Sequence, residues 1–284
     1  MLPYLYEPKI RQTLHFFFKM SSFNTEINGT IISWSKSGKG KPLLFLHGWG
    51  SNSSLFAPVL GRLQSVRTCF LPDFPGFGNS GKPKKPWTVS DYADAIDSFV
   101  QKHIPDGPFD LIVHSFGARV AIKLLTRPEI SSRIDKVIFT GAAGLIPKRS
   151  TQYYLKKYTA KLLKLPFLIL PATLREKGLA SLRKSTLWKS LGSSDYQKLG
   201  GVMRQTFVNV VTEHLDEELP KISHEILLLW GKDDVATPLE QAKRMEAGLK
   251  NCALILLDGA GHYAFIDKPA QFAAIAVAYL EPET

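Results

Sequence analysis

Cysteine is scarce in this chain: Cys69 and Cys252 are the two in 284 residues, far apart and each inside an apolar run. Such a pair makes no disulfide framework, and both read as buried free thiols, which fits a reducing compartment and sets a cytoplasmic expectation. Long apolar runs are lacking as well. The stretch Leu14–Phe18, preceded by Lys9 and Arg11, is far too short to span a bilayer. As a signal-peptide core it is also short, is cut off by Lys19 and lacks a small-residue cleavage site. Residues 1–22 are set aside as an N-terminal extension outside the fold, with Met20 a candidate start. Metal patterns are missing: the seven histidines are dispersed, with no H-E-x-x-H and no C-x-x-C, so no metal is expected. The glycine pairs Gly38–Gly40 and Gly76–Gly78 lack the spacing of a dinucleotide fingerprint, and no cofactor is expected.

What is present is an ordinary globular composition, 44% apolar and 21% charged, enough for a substantial core. Short apolar runs alternate with amphipathic stretches, which predicts an α/β fold: a mostly parallel sheet flanked by helices. Strands are expected at Leu43–Leu46, Thr68–Leu71, Leu111–Val113, Lys136–Thr140, Ile226–Trp230 and Leu254–Leu257. A hairpin from Glu26 to Trp34 turns at Asn28-Gly29. Thr88-Val-Ser-Asp91 fits a capping box for a helix burying Tyr92, Ile96, Phe99 and Val100. Between residues 145 and 221 the alternation stops, and a helical insertion, a lid, is expected there. The core then comprises residues 23–144 and 222–284.

Three strand ends carry the chemistry. In Phe109-Asp-Leu-Ile-Val-His-Ser-Phe-Gly-Ala-Arg119 a strand runs straight into a helix with Ser115 at the junction, a turn that lifts a hydroxyl above the sheet edge. Gly117 meets the need for a small residue two after the serine; two before it stands Val113 where the pattern wants glycine. Taken alone, the segment also fits a serine that merely caps a helix. Leu227-Leu-Leu-Trp-Gly-Lys-Asp-Asp234 ends a strand in adjacent carboxylates, and Leu257-Asp-Gly-Ala-Gly-His-Tyr263 ends another in a glycine-rich loop carrying His262. Serine, aspartate and histidine in this order, each after a strand, are the order of a hydrolytic triad on an open α/β sheet.

With these motifs the chain resembles the α/β-hydrolase superfamily, its serine hydrolase and esterase branch with a helical lid, from about residue 23 onward. Leu46-His47-Gly48-Trp49-Gly50 looks like the family's H-G-x turn, and Asp73-Phe-Pro-Gly-Phe-Gly-Asn-Ser80 like its D-x-P-G-x-G-x-S loop. The resemblance makes Ser115, Asp234 and His262 the catalytic triad, with Asp233 a decoy neighbour. It puts the oxyanion hole at the backbone N–H groups of Trp49 and Phe116. His47 and His114 are expected to be structural. A serine at the elbow disfavours the family's aspartate-nucleophile branches, the haloalkane dehalogenases and epoxide hydrolases.

The expected reaction is cofactor-independent hydrolysis of carboxylic esters of small or medium acyl or aromatic substrates. A carbon–carbon bond hydrolase or a thioesterase would carry the same triad, and so would a ligand-binding member with a slow or vestigial one. Trp49, Tyr153, Tyr154, Trp188 and Tyr263 are the candidate substrate contacts. Between Lys148 and Lys189 stand eleven basic residues against one acid, Glu176, accounting for +10 of the net charge of +11. A solvated helix face explains that cluster; so does docking to an anionic membrane surface or an acidic carrier protein. Nucleic acid is not expected, since no binding motif accompanies the charge.

Overall fold

Asn28 and Gly29 adopt φ of 51° and 73°, the pair of left-handed residues that a tight hairpin turn requires. They join β1 (Ser21–Ile27) to β2 (Thr30–Gly38) as antiparallel neighbours. The computed structural model describes residues 21–148, 151–185 and 199–281. Ser21 and Ser22 already pair with Lys36 and Ser35, so the sheet starts slightly before the boundary expected at residue 23.

Six further strands follow: β3 (Pro42–Leu46), β4 (Thr68–Pro72), β5 (Phe109–His114), β6 (Ile134–Thr140), β7 (Ile226–Gly231) and β8 (Cys252–Leu257). Their spatial order is β1-β2-β4-β3-β5-β6-β7-β8, and every pair from β4 onward is parallel. The central strands β3 and β5 are buried on both faces, which is why they read as unbroken apolar runs. At the edge, β8 alternates between half-buried and exposed side chains. Cys252 therefore lies half-buried on that edge, against the expectation of two buried thiols; Cys69 is buried, and burial pushes its thiol up to about 12.

Helices cover both faces. On one, α1 (Ala57–Leu63) and α8 (Pro269–Leu280) pack together over Leu43, Phe45, Ile112 and Leu229. On the other, α2 (Val89–His103) packs with α3 (Phe116–Leu125), and Phe99 meets the Trp34 ring edge-on at 5.4 Å. Thr88 and Asp91 form the expected reciprocal cap at the start of α2. After β6 come α4 (Thr151–Leu168), α5 (Ala172–Lys184) and α6 (Gly201–Thr212), and α7 (Leu239–Gly248) follows β7.

The chain divides into two compact units, one containing residues up to Ile146 and from Gln205 onward, the other Pro147–Arg204. The second unit is thus narrower than the insertion expected over 145–221. Residues 205–221 cluster with the sheet because polar bonds hold them there: Thr206 Oγ1 accepts from the Trp87 N–H at 3.1 Å, and the Leu215 N–H donates to Gly144 O at 2.9 Å. The Ile146 N–H donates to Asp216 Oδ2 at 2.8 Å, and Arg244 bonds both residues.

At the opposite, amino-terminal end of the parallel strands, Asp110 is fully buried. It accepts from Lys41 Nζ at 2.6 Å, Arg67 Nε at 2.8 Å and the Lys136 N–H at 3.2 Å. Arg67 also reaches the Leu280 carbonyl, tying the last helix to the sheet. Removing one partner of a buried charge cluster strands the others without compensation, so Asp110→Ala should destabilise the fold by about 3–5 kcal/mol. Urea unfolding measures it, and a loss below about 1 kcal/mol, the scale of an exposed pair, would contradict the account.

Candidate active site

The sheet order reverses at β3: the chain builds β4 on one side of it and then crosses to place β5 on the other. Such a switch point opens a crevice at the carboxyl ends of the two strands. The loops that leave β3 and β5 there carry Trp49 and Ser115.

Ser115 sits between β5 and α3 with φ 51° and ψ −110°. Apart from Asn28 it is the one non-glycine residue with positive φ among the described residues, a strained conformation that persists only when its surroundings enforce it. The Ser115 N–H donates to Thr140 O at 3.2 Å, and its carbonyl accepts from Ala118 and Ala143. Gly117 is essential to the turn because a Cβ there would stand 2.3 Å from Leu46 O. Val113 meets no such limit; it lies in register between Leu46 and Phe139, fully buried. Gly48 lets the loop after β3 approach, since its Cβ would fall 2.9 Å from His114 Nδ1 and 3.2 Å from Ser115 Cβ. The Trp49 and Phe116 rings consequently meet edge-on, centroids 5.4 Å apart.

His262 starts from the edge strand β8 and travels inward across two strand ends. Its loop passes β7 at Gly231, where a Cβ would stand 2.1 Å from Gly261 O, and β6 at Gly141, where one would stand 3.0 Å from His262 Nδ1. At β5 the His114 Nε2–H donates to the His262 carbonyl at 3.1 Å, and the two rings lie 4.7 Å apart.

Asp234 meets the imidazole from the turn after β7. Its Oδ2 accepts from His262 Nδ1 at 2.8 Å and from the Thr237 hydroxyl at 2.7 Å, while Oδ1 accepts from the N–H groups of Ala236 and Thr237, both at 2.8 Å. Burial opposes ionisation here, but the bond to His262, its charge and the Thr237 bonds outweigh it and hold the carboxyl below its usual range. Asp233 is exposed and points its backbone N–H to Ala260 O. The structure therefore pairs Asp234 with His262, sets the Trp49 ring against Phe116 next to Ser115, and leaves Asp233 outside.

The flanking histidines are fixed as neutral rings. His47 donates from Nδ1 to Gly48 O at 2.8 Å and accepts at Nε2 from the Phe74 N–H at 2.9 Å, and burial lowers its pKa. The D-x-P-G loop beside it is a brace: Asp73 accepts from Ser53 and Asn79, and Ser80 donates back to the Asp73 carbonyl. His114 has no hydrogen-bond partner at its buried Nδ1, and burial together with the His262 charge lowers its pKa strongly.

A sequence model for the alpha/beta hydrolase fold matches residues 41–269. The chain belongs to the α/β-hydrolase family. Among curated relatives, this hydrolase is 27% identical over 254 residues to a pimeloyl-[acyl-carrier protein] methyl ester esterase of Nitrosomonas europaea, covering 83% of this chain and 94% of that one. It is 22% identical over 284 residues to a 2-hydroxy-6-oxo-2,4-heptadienoate hydrolase of Pseudomonas putida, covering 93% and 100%. An esterase structure from Exiguobacterium antarcticum superposes with a TM-score of 0.68 at 24% identity, covering 92% of this chain and 99% of that one.

Of the candidate substrate contacts in this hydrolase, Trp49 is half-buried, its ring 5.3 Å from Phe207 and 4.7 Å from Phe77. Tyr263 is 7% exposed and sits between the His114 and Phe265 rings, which makes it a support of the His262 loop. Tyr153 and Tyr154 lie on α4 with side chains outside the described set, and Trp188 lies outside the described residues. Thr237 was not legible as a site residue; its one signal is a hydroxyl three residues after Asp234. Its carbonyl is in turn held by Trp230 Nε1 at 2.8 Å.

Two buried neutral histidines make stability depend on pH. Below about pH 6.5 the unfolded chain protonates both and the folded chain resists, so stability falls as pH drops, by about 1.4 kcal/mol per pH unit for each. His114→Gln keeps a donor for the His262 carbonyl and should remove one such contribution. Its urea-midpoint profile between about pH 7 and pH 5.5 should be shallower than the parent's; parallel profiles would contradict this.

Proposed function

We propose that this α/β-hydrolase cleaves carboxylic esters of small or medium acyl or aromatic substrates through an acyl-enzyme on Ser115, without a cofactor. The observation that carries the reading is the 2.8 Å bond from His262 Nδ1 to Asp234, and the positive-φ elbow at Ser115 supports it. That bond fixes the tautomer with Nε2 free to accept a proton. Ser115 Oγ attacks the ester carbonyl carbon as Nε2 takes its proton. The same proton then goes to the departing alkoxide as the C–O bond breaks, leaving the acyl group on Ser115. Water, deprotonated by His262, attacks the acyl carbon and releases the acid and the serine hydroxyl.

The N–H of Phe116 is the first of α3 and has no acceptor within its helix. Together with the Trp49 N–H it suits a developing oxyanion, a role in which each donor is typically worth about 10²–10³ in rate. The ester esterase relative from Nitrosomonas europaea supports the acyl-transfer reading. Carbon–carbon cleavage is the second reading, favoured by the end-to-end match to the heptadienoate hydrolase of Pseudomonas putida. The free thiols Cys69 and Cys252 support a reducing, cytoplasmic setting.

Turnover of a chain-length series of p-nitrophenyl esters, with one aryl diketone alongside, tests both readings. Ser115→Ala should lower kcat by about 10⁶ and Asp234→Asn by about 10⁴, while Asp233→Asn leaves it unchanged. Diketone cleavage that exceeds every ester would favour the second reading. Ester turnover that survives Ser115→Ala would overturn both.

A further inference from the structure

Within the second compact unit, α4 and α5 pack on each other. The Phe167 ring occupies the space at Gly178, where a Cβ would lie 2.4 Å from Cδ1. Leu163, Phe167, Leu179 and Leu182 are half-buried and form the inner side of this pair. A second apolar face of α4 is left uncovered. Leu155, Tyr158, Leu162 and Leu165 follow one another at spacings of three and four, a single stripe on the helix, and Ile169 continues the spacing just past the helix end. Their exposures are 68%, 58%, 63%, 47% and 87%. Of the thirteen large apolar side chains that are exposed among the described residues, eight fall within 155–174, so this is a patch and not scattered leucines.

The charge of the chain falls in the same stretch of sequence. Residues 147–204 hold thirteen lysines and arginines against Glu176 and Asp195, a net +11 that equals the net charge of the whole chain. Lys161 and Lys164 are exposed on α4 beside the stripe, and Lys177 is exposed on α5.

We propose that α4 docks flat on a bilayer carrying acidic phospholipids, with its leucine stripe among the acyl chains and its lysines at the headgroups. An apolar stripe edged by lysines is the pattern of an interfacial helix, whose lysine stems extend the apolar contact while their ammonium groups reach the phosphates. No helix among the described residues is long and apolar enough to cross a membrane; the helix lies on the surface. A second copy of the chain would cover the stripe only by bringing one +11 unit against another. An acidic protein would need an apolar centre shaped to the stripe inside its acidic rim, whereas an acidic bilayer offers acyl chains beneath phosphates along the whole helix.

The proposal is independent of the catalytic reading, and Ser115→Ala should bind lipid as the parent does. Full-length protein is sedimented with phosphatidylcholine vesicles, with and without phosphatidylglycerol. The parent should bind the phosphatidylglycerol vesicles and release in high salt. Leu165→Asp/Ile169→Asp and Lys161→Glu/Lys164→Glu should each weaken binding about tenfold or more. Both variants should keep the parental far-UV circular dichroism and urea midpoint, which reports that they fold. The proposal is overturned if the parent binds no vesicles, binds pure phosphatidylcholine equally, or binds undiminished when the stripe is charged. It is equally overturned if the parent is a dimer that Leu165→Asp/Ile169→Asp dissociates, or if it captures an acidic carrier protein while ignoring vesicles.

Discussion

The histidine of this site grows from the edge of the sheet, while the serine stands at its centre. Everything at the carboxyl ends of β5 to β8 is arranged around that separation. The loop after β8 crosses β7 where Gly231 leaves no room for a side chain, crosses β6 at Gly141, and is caught at β5 by the hydrogen bond from His114 to the His262 carbonyl. A side chain at either glycine, or loss of the donor at His114, would let the imidazole drift, and a displacement of about 1 Å is enough to cost two orders of magnitude in rate. The crossing therefore sets the geometry on which the proposed chemistry rests.

The surroundings of that crossing divide two tasks between two kinds of group. Asp234 is held ionised by four donors and serves to orient His262. His47 and His114 are held neutral by burial and serve to join loops: His47 ties the turn after β3 to the loop after β4, and His114 ties β5 to β8. A charge on His114 would sit unpaired in the core, close to the imidazole proposed to accept a proton. Neutral flanking rings suit the proposal that His262 is the base for Ser115.

Much of this was legible in the sequence, for a physical reason. Parallel strands covered on both faces read as plain apolar runs, so β3, β5 and β7 were visible as strands, and their ends located Trp49, Ser115 and Asp234. Glycines at close backbone approaches were visible too, as at Gly117. What sequence could not rank was which crowded position mattered. Val113 departs from the expected glycine yet fits, because its side chain lies within the sheet register, whereas the clash is with Leu46 O at Gly117. Thr237 escaped notice since a hydroxyl near a carboxylate has no periodic signature. The expected insertion ran past the second compact unit, because the bonds that hold residues 205–221 to the sheet are long-range and leave no local pattern, as between Thr206 and Trp87 or Asp216 and Ile146. Tyr263, expected as a substrate contact, packs among the core rings.

The central claim is that Ser115 is made nucleophilic by an imidazole held across the sheet, and covalent labelling tests it most directly. A fluorophosphonate should modify the parent once, on the peptide carrying Ser115 as read by mass spectrometry, and the rate should fall by several orders of magnitude in His262→Ala. Modification at another residue, or an unchanged labelling rate without His262, would contradict the account.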